Sequence, residues 1–259
     1  MSPQIDSPSN KRIAATARLK KRRQRARLGG FLVEGTRELQ GAAARGASIV
    51  EAFLCREYAS SKTIQLGDAL ADAGVRTTTV SVAAFDKLSH RRKPDGIVAI
   101  VGTWETELGN LTSNLVLVAE AIEKPGNLGA MLRTVDAAGA SLVIADPNVD
   151  PFNPNVVRAS QGALFSAPFA VSDTPTAISW ARDRGRLLVT TPEAPTAYWH
   201  ADMTGPTAIV VGSEHDGVGR AWLETGVPIR IPMAGEADSL NASVSAAVVL
   251  FEAVRQRRS

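Results

Sequence analysis

The sequence predicts an α/β protein of two modules, the second built on a mostly parallel sheet, and three observations carry that expectation. Short apolar runs alternate with helix-forming stretches along the chain, the pattern of helices packed against a sheet. A polar stretch from Gly102 to Asn114 interrupts the alternation and reads as a linker at 103–114. Beyond it, strand, loop, helix and strand recur as a βαβ unit, whose crossover favours parallel pairing. At 259 residues, 44% of them hydrophobic, the chain can fill two cores.

Residues 1–10 are polar and proline-containing, and read as a disordered tail. The first module covers 11–102, and its basic start, as far as Arg27, has helical character. Phe31-Leu-Val is a short strand. Thr36 is placed to cap a helix through Ala44, which Gly46 stops. Ile49 to Cys55 is a strand, Thr63 to Ala73 a helix closed by Gly74, and Val75 to Val80 a β-branched strand. Val82 to Leu88 is helical and Ile97 to Val101 extended. In the second module, 115–259, Leu115 to Glu120 is an apolar strand. A loop with Pro125 and Gly126 leads to a helix from Leu128 to Ala138, ended by Gly139, and Ser141 to Ala145 is the next strand. Further strands fit Leu187 to Thr190, Ala208 to Val211 and Ile229 to Ile231. The last helix, from about Leu240 to Arg257, places Leu240, Val244, Ala247, Val248, Phe251 and Val254 on one apolar stripe. Arg255, Arg257 and Arg258 fall at its carboxyl end, where positive charge suits the helix dipole. No internal repeat is present.

Nothing approaches the roughly 20 apolar residues of a membrane span, and Met1 to Asn10 lacks the apolar core of a secretory signal. The lone Cys55 can form neither an internal disulfide nor a thiolate metal site. His90, His200 and His215 have no zinc-ligand spacing. The chain therefore reads as cytoplasmic, reduced and without metal. Its net charge of +3 hides an uneven distribution. Lys11, Arg12, Arg18, Lys20, Lys21, Arg22, Arg23, Arg25 and Arg27 run without an intervening acid, and Arg91, Arg92 and Lys93 form a second basic cluster. Such blocks contact nucleic-acid phosphates and release counterions; a solvated basic surface is the alternative.

Neither a phosphate-cradling Gly-x-x-x-x-Gly-Lys-Ser/Thr nor a dinucleotide-type Gly-x-Gly-x-x-Gly is present where a nucleotide fold would need it. The glycine-rich loop of ordinary Rossmann-type methyltransferases is absent too. Three strand-to-helix junctions carry polar groups instead. In Glu120-Ala-Ile-Glu-Lys-Pro-Gly-Asn-Leu-Gly-Ala-Met-Leu-Arg133, Asn127 sits where a helix cap belongs, while Arg133 interrupts Leu128, Met131, Leu132 and Val135. An unpaired arginine is expensive to bury, so Arg133 is expected to face a polar cavity; a capping Asn with a surface Arg is the alternative. In the second junction a strand ends at Gly212, whose missing side chain lets a ligand approach, and Glu214 follows at the sheet's carboxyl edge. Read alone, this could equally be an acidic turn. In the third, a loop from Pro232 to Asp238 leads into Ser239, Asn241, Ser243 and Ser245, more polar groups than one cap requires. A merely polar first turn would look the same.

Together and in this order, Asn127-Leu-Gly-Ala-Met-Leu-Arg133, Val211-Gly-Ser-Glu214, and Ile231-Pro-Met with Ser239-Leu-Asn-Ala-Ser243 resemble the SpoU (TrmH) family of RNA ribose methyltransferases, in the SPOUT superfamily. Val157-Arg-Ala-Ser-Gln-Gly-Ala-Leu-Phe is similar to that family as well. Phe31-Leu-Val-Glu-Gly with Arg37 resembles the substrate-binding domain that precedes the methyltransferase domain in many members. The resemblance implies a carboxyl-terminal SPOUT domain with a deep trefoil knot, a homodimer, and 2′-O-methylation of a ribose in structured RNA. S-adenosyl-L-methionine would be the donor and S-adenosyl-L-homocysteine the product. The resemblance places Thr190, Thr191, Val211, Gly212, Ile231, Pro232, Met233 and Leu240 around the donor, and Asn127, Arg133, Glu214, Ser239 and Asn241 at the reacting centre. Because an arginine loses its proton only above about pH 12, Arg133 is expected to orient ribose and phosphate rather than act as a free base. Lys20, Lys21, Arg22, Arg23, Arg37, Arg91, Arg92 and Arg158 are the candidates for RNA contact. The separate amino-terminal domain, which minimal transfer-RNA members often lack, favours large-subunit (23S) ribosomal RNA as the substrate, and the layout also resembles antibiotic-resistance ribosomal RNA methyltransferases of the thiostrepton and avilamycin type. Transfer RNA methylation and a non-catalytic RNA-binding factor are the competing readings.

Overall fold

The computed structural model describes residues 4–258. It divides into one unit made of the chain up to Trp104 together with Asp150–Ser166, and a second made of Glu105–Val149 together with the chain from Ala167 onward. Of the expected disordered tail, residues 1–3 lie outside the described residues. The rest of it is ordered: Ile5 is buried and pairs with Val80, and the Asn10 side chain accepts the Arg12 amide at the first helix start.

In the first unit, α1 (Lys11–Ala17) and α2 (Arg22–Leu28) make up the basic segment. They are followed by β1 (Gly30–Glu34), α3 (Thr36–Ala44), β2 (Ile49–Leu54), α4 (Ser61–Asp72), β3 (Arg76–Thr79), α5 (Val82–Leu88) and β4 (Ile97–Gly102). The sheet order is β1-β4-β2-β3, with β4 antiparallel to both neighbours and β2 parallel to β3. Ile13, Leu32, Phe53, Val80, Phe85, Leu88 and Val98 form its core. Ser60 and Ser81 cap α4 and α5 through their hydroxyls. Thr36 is the first residue of α3, not its cap. Gly35 takes the cap position at φ 121°, because the Glu38 carboxylate and the Arg91 guanidinium fill the space of a Cβ. Asp95 does the capping from a distance, accepting the Thr36 amide at 2.7 Å.

The chain continues through β5 (Leu115–Glu120), α6 (Pro125–Ala138), β6 (Ser141–Ala145), α7 (Pro154–Ser160), β7 (Phe169–Ser172), α8 (Thr174–Arg182) and β8 (Arg186–Thr190). It ends with β9 (Thr196–Ala197), β10 (Thr207–Val211), α9 (Arg220–Leu223), β11 (Val227–Arg230) and α10 (Ala242–Arg258). All of these except α7 belong to the second unit. Its sheet runs β7-β6-β5-β10-β8-β11-β9, and every pairing is parallel, so all strand carboxyl ends share one edge. β5 is buried along its whole length, as expected of a strand covered on both faces. α6 starts at Pro125, three residues before the expected start, since proline loses nothing in the first turn of a helix. α10 turns its small residues Ala242, Ala246 and Ala253, with Val249 and Leu250, inward and packs on α6. The stripe marked by Val244 and Phe251 lies on the other side and is exposed.

Asp150–Ser166 joins the first unit through side chains. Arg25, 3% exposed, donates from Nε and Nη2 to Asp150 Oδ2 at 2.8 and 2.5 Å, and from Nη1 to the Leu19 and Lys20 carbonyls at 2.9 Å. Phe152 packs on Phe31 with ring centroids 4.8 Å apart and on Trp104 at 4.9 Å. Phe165 stacks near Phe31, and Arg37 Nη1 donates to Gln161 Oε1 at 2.9 Å.

Candidate active site

Parallel pairing brings the sequence-predicted residues of the second unit to one edge. β10, β8 and β11 are neighbours in the sheet, so Val211–Gly212, Thr190–Thr191 and Ile231–Met233 follow adjacent strand ends. The Thr190 hydroxyl donates to the Val210 carbonyl at 2.9 Å, and the Thr191 amide to the Ile229 carbonyl at 2.9 Å. Ile231 and Met233 are half-buried, whereas Pro232 and Leu240 are exposed. The hairpin itself also requires Gly212: a Cβ there would overlap the Gly217 carbonyl. The close approach belongs to a hairpin in which Ser213 and Gly217 exchange backbone hydrogen bonds of 3.1 and 3.2 Å, tightened by the Asp216 amide donating to Ser213 Oγ at 3.0 Å. Backbone strain also gathers at this edge. Ala121 and Asp146, which follow β5 and β6, hold φ of 49° and 44°, in the left-handed region that side chains disfavour.

Three of the five candidate reacting-centre residues form one network. Asn127 is buried within the first turn of α6, not at its cap, and its Nδ2 donates to Glu214 Oε1. Asn241 Nδ2 donates to the same oxygen at 2.9 Å and to Asn127 Oδ1 at 3.1 Å. Asn241 Oδ1 meanwhile accepts the Ser243 amide at 3.0 Å and its hydroxyl at 2.7 Å, so one side chain caps α10 and joins the network. Glu214 Oε2 pairs with Lys124 Nζ. Glu214, from the hairpin after β10, thus ties the α6 start to the α10 start, with charge-assisted bonds that favour a fixed geometry. Arg133 and Ser239 stand outside it. Arg133 is exposed and forms no ion pair with a described residue. The expected polar cavity is replaced by open surface, since the core face of α6 is already filled by Leu128, Met131, Leu132 and Val135. Ser239 is exposed on the loop before α10.

Sequence reasoning missed Lys124, whose signal was a charge set directly before Pro125. It also missed Glu120, an acid closing an apolar strand. Burial pushes the Glu120 carboxyl up from its ordinary pKa, and Asp146 adds to the rise; the Gly219 amide and the Trp222 indole oppose it.

In the first unit the basic candidates divide. Lys20 Nζ donates to the Lys87 and Ser89 carbonyls at 2.9 and 2.8 Å, closing the end of α5, and burial lowers its pKa. Arg91 Nη2 donates to the Glu34 carbonyl and to Glu38 Oε1, both at 2.8 Å. With Arg37 on Gln161, these three serve the unit's own structure. Lys21, Arg22, Arg23, Arg92 and Arg158 are exposed. Partial burial, then Lys20, Arg158 and Arg25, hold the His90 imidazole down at about 4, two of these cations from the basic segment and one from α7. Among the described residues no group of three or more could hold a metal ion, and no helix is long and apolar enough to cross a membrane.

Comparison with known proteins shows the family and the fold. A sequence model of the SpoU rRNA Methylase family matches residues 114–251, and one of the MRM3-like substrate binding domain matches residues 10–99. The chain is 30% identical over 251 residues to the 23S rRNA (guanosine(2553)-2′-O)-methyltransferase RlmP of Bacillus subtilis, covering 96% of this chain and 98% of that one. A crystal structure of an RNA 2′-O ribose methyltransferase superposes with a TM-score of 0.87 at 40% identity, covering 99% of this chain and 100% of the other. The SpoU methyltransferase AviRb from Streptomyces viridochromogenes, in complex with the cofactor AdoMet, gives 0.85 at 30% identity, with 96% and 99% covered.

Proposed function

Because the chain belongs to the SpoU rRNA Methylase family, we propose that it is an S-adenosyl-L-methionine-dependent enzyme that methylates a ribose 2′-hydroxyl, with large-subunit ribosomal RNA as its substrate. The observation that carries this is the Glu214 network, which gathers Asn127 and Asn241 from two separate junctions at the carboxyl edge of a parallel sheet. Open α/β sheets bind their ligands at such edges.

The donor site fits the residues present. Half-buried Ile231 and Met233 and exposed Leu240 offer apolar surface, while the turns at 190–191, 211–212 and 231–233 offer backbone donors and acceptors for a purine edge. When bound, S-adenosyl-L-methionine supplies a methyl group on a sulfonium, and S-adenosyl-L-homocysteine is left. The chain's own part is positioning. Arg133, exposed on α6, orients an RNA phosphate and the attacking hydroxyl with its planar fork. Asn127, Glu214 and Asn241 hold the surrounding loops in register, and Ser239 lines the same loop. Lys21, Arg22, Arg23, Arg92 and Arg158 contact RNA phosphates, while Lys20, Arg37 and Arg91 shape the surface that presents them.

Two further features of this proposal have support in the fold. β10 lies between β5 and β8, and β11 between β8 and β9, an order compatible with the trefoil knot that the family resemblance implies. Leu240, Val244 and Phe251 are 37%, 46% and 46% exposed on and beside α10, an apolar stripe suited to a second copy of the chain, giving a homodimer. A calorimetric titration separates the enzyme from a non-catalytic RNA-binding factor. The enzyme binds S-adenosyl-L-methionine saturably, near one per chain; a protein that binds none is the factor.

A further inference from the structure

Glu120 is a carboxylate only 8% exposed at the end of β5, and it takes no part in the Glu214 network. Burying a carboxylate is unfavourable unless hydrogen bonds hold it, and here one identifiable bond does. Glu120 Oε2 accepts the Gly219 amide at 2.7 Å. Its other oxygen lies 2.7 Å from where a Cβ on Gly219 would stand. The Trp222 indole, which completes no hydrogen bond, also favours the charged carboxylate.

Gly219 ends the segment that begins at Gly212 and carries Glu214. One end of that segment leaves β10, and the Ser213–Gly217 bridge folds it back. Glu120 secures the other end, just before α9. We propose that Glu120 is a positioning residue for methyl transfer: by anchoring Gly219 it fixes the hairpin that presents Glu214 to Asn127 and Asn241. The inference rests on the function proposed above, since it gives Glu120 a role in that reaction.

Three variants test it. Glu120→Gln keeps an oxygen to accept the Gly219 amide, and Glu120→Leu keeps the bulk without the acceptor. Gly219→Ala leaves Glu120 in place but sets a methyl against it; the φ of −63° at this position is open to alanine. Glu120→Leu and Gly219→Ala are expected to lower kcat by about tenfold or more, as small misplacements at a reacting centre do, with KM for donor and RNA little changed. Glu120→Gln is expected to stay within about threefold of the parent, since the anchoring geometry is kept. Amide hydrogen exchange at Gly219 is expected to quicken in Glu120→Leu and not in Glu120→Gln. Full kcat in a folded Glu120→Leu overturns the proposal, and so does an equal loss in the Gln and Leu variants. If Glu120→Leu does not fold, Gly219→Ala decides, and full kcat there overturns it. A parent protein that transfers no methyl to RNA defeats the functional reading instead, and the exchange contrast at Gly219 still tests the anchor.

Discussion

Asn127 and Arg133 share a helix and a motif, yet physical chemistry treats them in opposite ways. Asn127 is buried because every polar atom of its amide side chain that faces Glu214 and Asn241 finds a partner. Arg133 is exposed, because nothing on the core face of α6 could neutralise it. Its assigned role needs a fork, not merely a charge. Arg133→Lys should therefore fold normally and bind the donor, with single-turnover methyl transfer slowed about ten- to a hundredfold. Undiminished transfer would remove Arg133 from the reacting centre. Glu120 offers a test through pH. Its folded-state pKa is raised by burial, so its contribution to stability is fully present below the unfolded pKa, about 4.3, and is lost as pH rises through the folded value. Glu120→Gln carries no charge at any pH. Calorimetric scans should show the Tm of this variant minus that of the parent rising from acid to neutral pH. A difference that falls as pH rises would contradict the assignment.

At the scale of elements, legibility followed burial pattern. Leu115–Glu120 and Ser141–Ala145 came out at their expected bounds, since continuous apolar runs of that length have few other fates in a parallel sheet. β9 is two residues long and α9 a single turn, too short for periodicity; α7 and α8 went unread as well, although α5 and α3, which were read, are no longer. α10 was found, but the apolar stripe read from its spacing is marked by the exposed Val244 and Phe251, and the helix instead buries Ala242, Ala246, Val249, Leu250 and Ala253. α7 lies in the stretch the sequence assigns to the second module, yet it packs with the first unit. Nothing in linear order links Phe152 to Phe31 or Asp150 to Arg25; those pairings exist only in three dimensions. The Arg25–Asp150 pair provides the check. Arg25→Met leaves Asp150 without its cation and three carbonyl or carboxylate acceptors without donors, which should destabilise the first unit by about 3–5 kcal/mol. Denaturant unfolding followed by the Trp104 signal would measure it, and a loss below about 1 kcal/mol, the range of a surface pair, would mean the bridge is solvated.

Across the whole molecule, the donor-site candidates were legible as motifs because they occupy strand ends, where position along the chain becomes position on one edge. The network's Lys124 and the anchoring Glu120 were not, because one charge in a loop has no pattern. Basic clusters were visible as runs, but which cations face outward depended on carbonyls and carboxylates elsewhere in the first unit, as Lys20 and Arg91 show. This division predicts how RNA affinity responds to salt. Affinity should fall at least tenfold between roughly 50 and 200 mM salt. Replacing Lys21, Arg22 and Arg23 by Ala should flatten that dependence without lowering Tm. Filter binding across a salt series would measure both, and an affinity indifferent to salt would discard the phosphate contacts.

The central claim is transfer of a methyl group to a ribose oxygen, and its most direct test is incubation of the protein with deproteinised ribosomal RNA and methyl-labelled S-adenosyl-L-methionine. Alkaline hydrolysis then reads the position, because a methylated 2′-oxygen cannot attack the neighbouring phosphate. Label recovered in an alkali-resistant dinucleotide is the predicted result. Label recovered in mononucleotides, or no label in RNA at all, would contradict it.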